Sequence, residues 1–281
     1  MINRQMTGEM LEGYRIYLGQ EEKAAGTIEK YLRDIRGFAD WLSGREVTKE
    51  SVIRWKTLLL ESGYAARTVN SMLSALNGLF SFLGWEDCRM KFLKIQRQMF
   101  RDERKDMNLQ EYRRLVKTAY RSGKRRLGLA IETICGSGIR VSELAYITVE
   151  AAKKGRSEIM LKGKARIILL SDRLCRKLLE YAGKENIKSG KIFLTRNGNS
   201  LSRRQIWSEM KGLCAAADVE MSKVFPHNLR HLFAKIFYQN NRDIVKLADI
   251  LGHTSIDTTR IYLLATGTEH IRQLNRLRLI S

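Results

Sequence analysis

Residues 226–262, from Pro226 to Tyr262, read PHNLRHLFAKIFYQNNRDIVKLADILGHTSIDTTRIY. His227 and Arg230 stand three apart, so on a helix they share one face. His253 follows Leu251 and Gly252 in a turn. Thr254 or Ser255 then offers a helix N-cap, Asp257 falls in the first turn of that helix, and Tyr262 comes near its end. A phenol, two imidazoles and a guanidinium suit one task. The phenol attacks a phosphodiester, the cation neutralises non-bridging oxygens, and the imidazoles hydrogen-bond or move protons. Taken singly, each residue has a plainer reading. A lone helical tyrosine is usually half-buried packing, and His-x-x-Arg is usually a capped or solvated pair. His231 reads best as a packed neighbour on the His227 helix. The functional reading rests on the set.

Upstream, Cys135 to Leu144 read CGSGIRVSEL and place Arg140 just after a glycine-rich turn. The segments H-x-L-R-H, L-G-H and T-x-x-Y, preceded by this box, resemble the signature of the tyrosine recombinases, also called phage-type integrases. Two separated boxes in the right order are far more specific than one short motif. The resemblance implies that Tyr262 attacks DNA, leaving a 3′-phosphotyrosine and a free 5′-hydroxyl. The bond energy stays in the covalent link, so no ATP or other cofactor is needed for rejoining. Arg140 and Arg230 would each grip phosphate oxygens through a planar fork. His227 and His253 would sit at the phosphate, and Glu143 would support Arg140 without touching substrate. The family pattern G-K-G-x-K-x-R points to Lys162, which precedes Gly163, as the general acid for the leaving 5′-oxygen. The loop is one residue short of that pattern, and Lys164 is the alternative acid.

Composition points to the same class of partner. The 281 residues carry a formal charge of +21, with a pI of about 10.0, which favours a polyanion, above all nucleic acid. The charge is uneven. Residues 1–100 hold 15 Lys and Arg against 12 Asp and Glu, and residues 101–281 hold 36 against 18. Hydrophobic residues make up 44%, ample for a packed core. The four cysteines, Cys88, Cys135, Cys175 and Cys214, are far apart and form no C-x-x-C, as expected of reduced thiols in a cytoplasmic protein. No apolar run approaches the roughly 18 residues of a membrane span, and the first residues lack an apolar signal core. The acids are scattered, without the carboxylate cage that two-metal nucleases need, so no metal site is expected.

The fold class expected is mainly α (α+β). Apolar residues recur at helical spacing through Met10–Leu18, Ile28–Leu42, Val52–Leu59 and Val69–Leu83, with Thr27 and Thr68 as N-caps. Four short amphipathic helices would pack as a bundle over residues 1–86. The pieces GTIEKYLRDIRGFADWL and TVNSMLSALNGLFSFLG also resemble the core-binding domain of the same family. Residues 87–107 read as a basic linker, and residues 108–281 as the catalytic domain. There, helices are expected at Leu109–Tyr120, Arg126–Cys135, from Val141, and around Arg173–Tyr181, Arg203–Ala216, Asn228–Gln239, Asp243–Leu251 and Ile256–Leu264. Ser157–Leu161 and Arg166–Leu170 read as strands joined by Lys162-Gly163-Lys164-Ala165. Ile271, Leu274, Leu277 and Ile280 make one stripe, which the resemblance suggests docks on a neighbouring protomer. It further implies a C-shaped clamp on double-stranded DNA, with no additional N-terminal arm-binding domain. The active form would be a tetramer on two duplexes, of one chain or shared with a paralogous recombinase, working through a Holliday junction. Two other readings stay open: a DNA-binding architectural or regulatory factor of the same fold, and a type IB topoisomerase-like relaxer.

Overall fold

The computed structural model describes residues 4–95, 105–161, 164–195, 197–263 and 275–277, and the chain divides into two units, Met1–Arg97 and Gln98–Ser281. The first unit holds α1 (Gly8–Gln20), α2 (Ala25–Leu42), α3 (Lys49–Glu61) and α4 (Ala66–Phe82). Their apolar stripes meet in a core of Tyr14, Ile35, Phe38, Leu73, Leu76 and Phe80, where Phe38 stands edge-on to Trp55 with centroids 5.3 Å apart. Each such side chain contributes about 1.5–3 kcal/mol on leaving water. Thr27 and Thr68 are not the caps expected of them. Their backbone N–H groups donate to the carbonyls of Ala24 and Ala65 at 2.8 Å, so both lie inside the first turn of helices that start without a side-chain cap.

Much of the expected linker is built into this unit. The Asn77 amide brackets Met90, donating to its carbonyl at 2.9 Å and accepting from its N–H at 2.8 Å. Asn70 does the same to Leu93, at 2.9 and 2.8 Å. At the other end, Met107 is buried in the core of the second unit. The segment 87–107 is therefore shorter as a linker than the sequence suggested, because two asparagines on α4 stitch its start to the bundle.

The second unit begins with α5 (Leu109–Arg121) and α6 (Arg125–Ser137), followed by a 3-10 stretch, Val141–Tyr146, and α7 (Val149–Lys154). The hairpin β1 (Arg156–Leu161) and β2 (Lys164–Leu169) comes next, then α8 (Asp172–Lys184), α9 (Arg203–Lys211) and α10 (Cys214–Ala217). After these come α11 (Pro226–Asn241), α12 (Ile244–Leu251), α13 (Ile256–Arg260) and a 3-10 turn, Ile261–Leu263. α6 runs through the middle, burying Leu127, Ala130, Ile131 and Ile134.

Several boundaries moved for physical reasons. Val141–Tyr146 winds as a 3-10 stretch, not an α-helix. α7, capped by Thr148, was too short to show a period. The expected helix over 203–216 breaks at Gly212 into α9 and α10. α11 starts at Pro226, where a missing N–H costs nothing. The antiparallel register pairs Leu161 with Lys164 and Ile159 with Arg166. Lys164 and Ala165, expected in the connecting loop, therefore belong to the strand, and Lys162 and Gly163 lie outside the described residues. Along the hairpin, Ser157, Ile159 and Ile168 face inward and are buried, while Met160, Ile167 and Leu169 face out. Among the described residues, no helix is long and apolar enough to cross a membrane.

Candidate active site

α6 ends at Gly138, whose φ of 65° is left-handed. A Cβ there would lie 2.4 Å from the Phe233 ring, so glycine is required twice over. The turn delivers Arg140 to the start of the 3-10 stretch. There Glu143 closes a capping box, its Oε2 accepting the Arg140 backbone N–H at 2.7 Å. Its Oε1 accepts from Arg140 Nη1 at 3.0 Å and also from Arg166 Nη1. Glu143 is fully buried, whereas the Arg140 side chain is 45% exposed and open to an incoming anion.

Pro226 sets the first turn of α11, so His227 and Arg230 come round to one side. Arg230 is only 1% exposed. It donates to the carbonyls of Gly138 at 2.6 Å and Leu251 at 2.7 Å, and to His253 Nε2 at 2.8 Å. None of these acceptors is a carboxylate. Burial first, and Arg140 second, lower its pKa to about 10, while the nearby Tyr262 oxygen acts the other way. It remains a cation at neutral pH. Among the described residues this buried cation has only neutral acceptors and no counter-charge, and an anion at the site would supply one.

α12 ends at Leu251, and Gly252, at a φ of 63°, turns the chain toward His253. Because His253 Nε2 accepts from Arg230, the proton sits on Nδ1, which donates to Thr259 Oγ1 at 2.8 Å. Burial, and then the charges of Arg230 and Arg140, lower the His253 pKa to about 4. The ring is neutral and fixed in one tautomer. Ser255, not Thr254, caps α13 by accepting from Asp257 N. One short helix later Tyr262 is buried, 7% exposed, with its ring stacked on His253 at 5.8 Å and 11°. The rings of His227 and His231 lie 5.6 and 5.4 Å from it. His231 is itself buried, with Nδ1 3.7 Å from Asp106 Oδ1.

The structure thus gathers Arg140, Glu143, His227, Arg230, His231, His253 and Tyr262. Lys162 lies outside the described residues. Lys164 stands in β2, two residues before Arg166. Arg166 and Thr259 were missed as site residues. Both lay inside motifs already singled out, K-x-R and T-x-x-Y, but they were read there as spacing. A cavity of about 380 Å³ beside the cluster is lined by Arg140, His227 and Arg230, and also by Arg203 and Trp207 of α9. Among the described residues, no three His, Cys, Asp or Glu side chains gather into a metal-binding group.

A nucleophile-bearing cluster of this kind, on a helical unit with one β-hairpin, is the arrangement of an enzyme that breaks and rejoins DNA strands through a tyrosine. Residues 105–268 match the phage integrase family, and residues 11–87 match the phage integrase N-terminal SAM-like domain. Tyrosine recombinase XerA of Thermococcus kodakarensis is 29% identical, over 94% of this chain and 93% of its own. Tyrosine recombinase XerC of Erythrobacter litoralis is 31% identical, over 85% and 81%. Among solved structures, XerH site-specific recombinase bound to its difH substrate shares the fold at a TM-score of 0.70, with 19% identity over 95% of this chain and 84% of that one. A lambda integrase tetramer bound to a Holliday junction gives 0.72, with 17% identity over 90% and 76%. The chain belongs to the phage integrase family and is a tyrosine-type site-specific recombinase.

Proposed function

We propose that the chain cuts and rejoins double-stranded DNA at a specific site through Tyr262, as a tetramer on two duplexes that passes through a Holliday junction. The Tyr262 oxygen bonds to phosphorus as the bond from phosphorus to the 5′-oxygen breaks. Arg140 and Arg230 take the charge on the non-bridging oxygens. A free phenol titrates near 10, so its proton must leave during attack, and His227, exposed beside the ring, relays it. His253 holds the Arg230 fork. The departing 5′-oxygen takes its proton from a hairpin lysine, Lys162 in the first instance and Lys164 as its alternative. Rejoining runs the same steps backward. Both units bind the duplex, and the protein works in the cytoplasm, in keeping with four free, buried cysteines.

The observation that carries this reading is Arg230, a buried cation with no carboxylate partner among the described residues, whose guanidinium donates to His253, the ring stacked on Tyr262. The test is a suicide substrate nicked beside the scissile phosphate. A covalent protein–DNA adduct should accumulate with chelator present, and binding should weaken steeply with salt, by a log–log slope of about 0.9 per phosphate contacted. A salt-sensitive mobility shift without adduct would leave only a binding protein. Relaxation of supercoils at any sequence, without pairing of sites, would mark a topoisomerase-like enzyme instead.

A further inference from the structure

We propose that Arg166 is a positioning residue that fixes the lysine-bearing hairpin against the phosphate-binding arginines. The inference rests on the reading of a hairpin lysine as the general acid. A two-stranded hairpin has little stability of its own in water. Here its outer face is bare, with Met160, Ile167 and Leu169 exposed by 66%, 55% and 61%. Its inner face is anchored by buried Ile159 and Ile168, and by Ser157, whose hydroxyl donates to the Tyr146 carbonyl at 2.8 Å. Toward the tip, the polar anchor is Arg166, its side chain 10% exposed.

That one guanidinium reaches two pieces of the catalytic cluster. Nη1 donates to Glu143 Oε1, the oxygen that also holds Arg140. Nη2 donates to the carbonyl of Ile250 at 3.1 Å, three residues before His253. Its stem lies across Gly252 so closely that a Cβ there would meet Arg166 Cδ and Nε at 2.6 Å. Lys164 stands two residues away along β2, about 7 Å at strand rise, and Lys162 precedes it by two residues in the sequence. Arg166 therefore links the strand of the proposed acid to the elements that carry Arg140 and His253.

Stability alone does not explain the residue. Glu143 is already paired with the exposed Arg140, and a second cation that is itself buried gains little from the same carboxylate against its own desolvation. Arg166 Nε is moreover buried without a hydrogen-bond partner among the described residues, a further cost. What the arrangement does supply is geometry. A donor fork with fixed directions sets where a strand can sit, and proton transfer to a leaving group tolerates little displacement.

The experiment compares single-turnover cleavage of two substrates, one with the normal 5′-bridging oxygen and one with sulfur in its place, a leaving group that needs no proton. Arg166→Gln should slow the oxygen substrate by about 10²-fold and be largely rescued on the sulfur substrate, with DNA affinity unchanged within a few fold. Arg166→Lys, which keeps charge but not the fork, should fall between it and the wild type and show the same selective rescue. Each sulfur-to-oxygen ratio is taken on one preparation, so any unfolded fraction cancels. Equal slowing of both substrates by Arg166→Gln would overturn the proposal. Lys162→Ala and Lys164→Ala, run alongside, separate the two readings. If neither is rescued by sulfur, the hairpin acid itself is wrong; if one is rescued and Arg166→Gln is not, only the role of Arg166 falls.

Discussion

The two units enclose interiors of different material. Around α1–α4 the buried side chains are aliphatic and aromatic, and the polar ones among the described residues are Asp34 and Asn77. The catalytic unit has its own apolar core, yet it also buries Glu143, Arg230, His231 and Thr259 around one spot. Apolar burial needs no directional partner. A buried charge destabilises unless its neighbours are aimed at it. The first interior is thus a packing solution that many sequences could reach. The second holds groups that packing would reject, at Tyr262 and around it. The contrast singles out this spot without reference to any motif.

Breaking the first interior should damage the fold and spare the geometry of the second. Phe38→Ala removes a ring from the centre of the bundle and should cost about 3–5 kcal/mol. Hydrogen exchange followed by mass spectrometry on the full chain should show lost protection in α1–α4 and retained protection in α6 and α11. Equal loss in both would mean that the units do not hold themselves separately.

Breaking the second should damage catalysis first. Arg230→Ala removes a proposed phosphate ligand and leaves the Gly138 and Leu251 carbonyls without their donor. Single-turnover cleavage should fall by about 10²–10³-fold. Arg230→Lys should recover little, since one ammonium does not reproduce the planar fork. Full recovery by lysine would show that only charge matters there.

Gly252→Ala sharpens the contrast further, because it adds one methyl to a turn. The left-handed backbone should cost about 1–2 kcal/mol, and the methyl would collide with Arg166. The cleavage defect should exceed what the change in melting temperature explains. A melting shift with normal cleavage would detach the turn from the chemistry.

The smallest effect is electrostatic. His253 titrates at about 4 in the folded protein, below the value near 6.5 of an unfolded histidine. Its stabilising contribution is therefore complete above about pH 6.5 and is lost as pH falls toward 4. The ring is partly accessible, so screening leaves about 1 kcal/mol. Denaturant midpoints at pH 7 and pH 5 should differ more in the wild type than in His253→Gln. An equal difference in both would contradict the neutral ring.

Much of the cluster was legible because its residues lie on short, well-punctuated elements. Pro226, Gly138 and Gly252 mark where helices begin and end, and the intervals between them fix which side chains return to one side. The cluster's connections were not legible. That His253 accepts from Arg230 and donates to Thr259 depends on which nitrogen faces the arginine, and spacing does not encode it. Arg166 read as one cation in a strand, since its partners Glu143 and Ile250 are 23 and 84 residues away. The turn was misread as four residues because lysine and alanine carry no turn preference strong enough to settle the register. The stripe of Ile271, Leu274 and Ile280 lies outside the described residues, and Leu277 is 58% exposed.

The central claim is that Tyr262 is the atom donor of the covalent link. Peptide mapping of the adduct trapped on a nicked suicide substrate tests it directly. The account predicts a 3′-phosphonucleotide on the peptide containing Tyr262, and no adduct from Tyr262→Phe although that variant binds DNA as tightly as the wild type. A nucleotide on any other residue, or an adduct that survives in Tyr262→Phe, would contradict it.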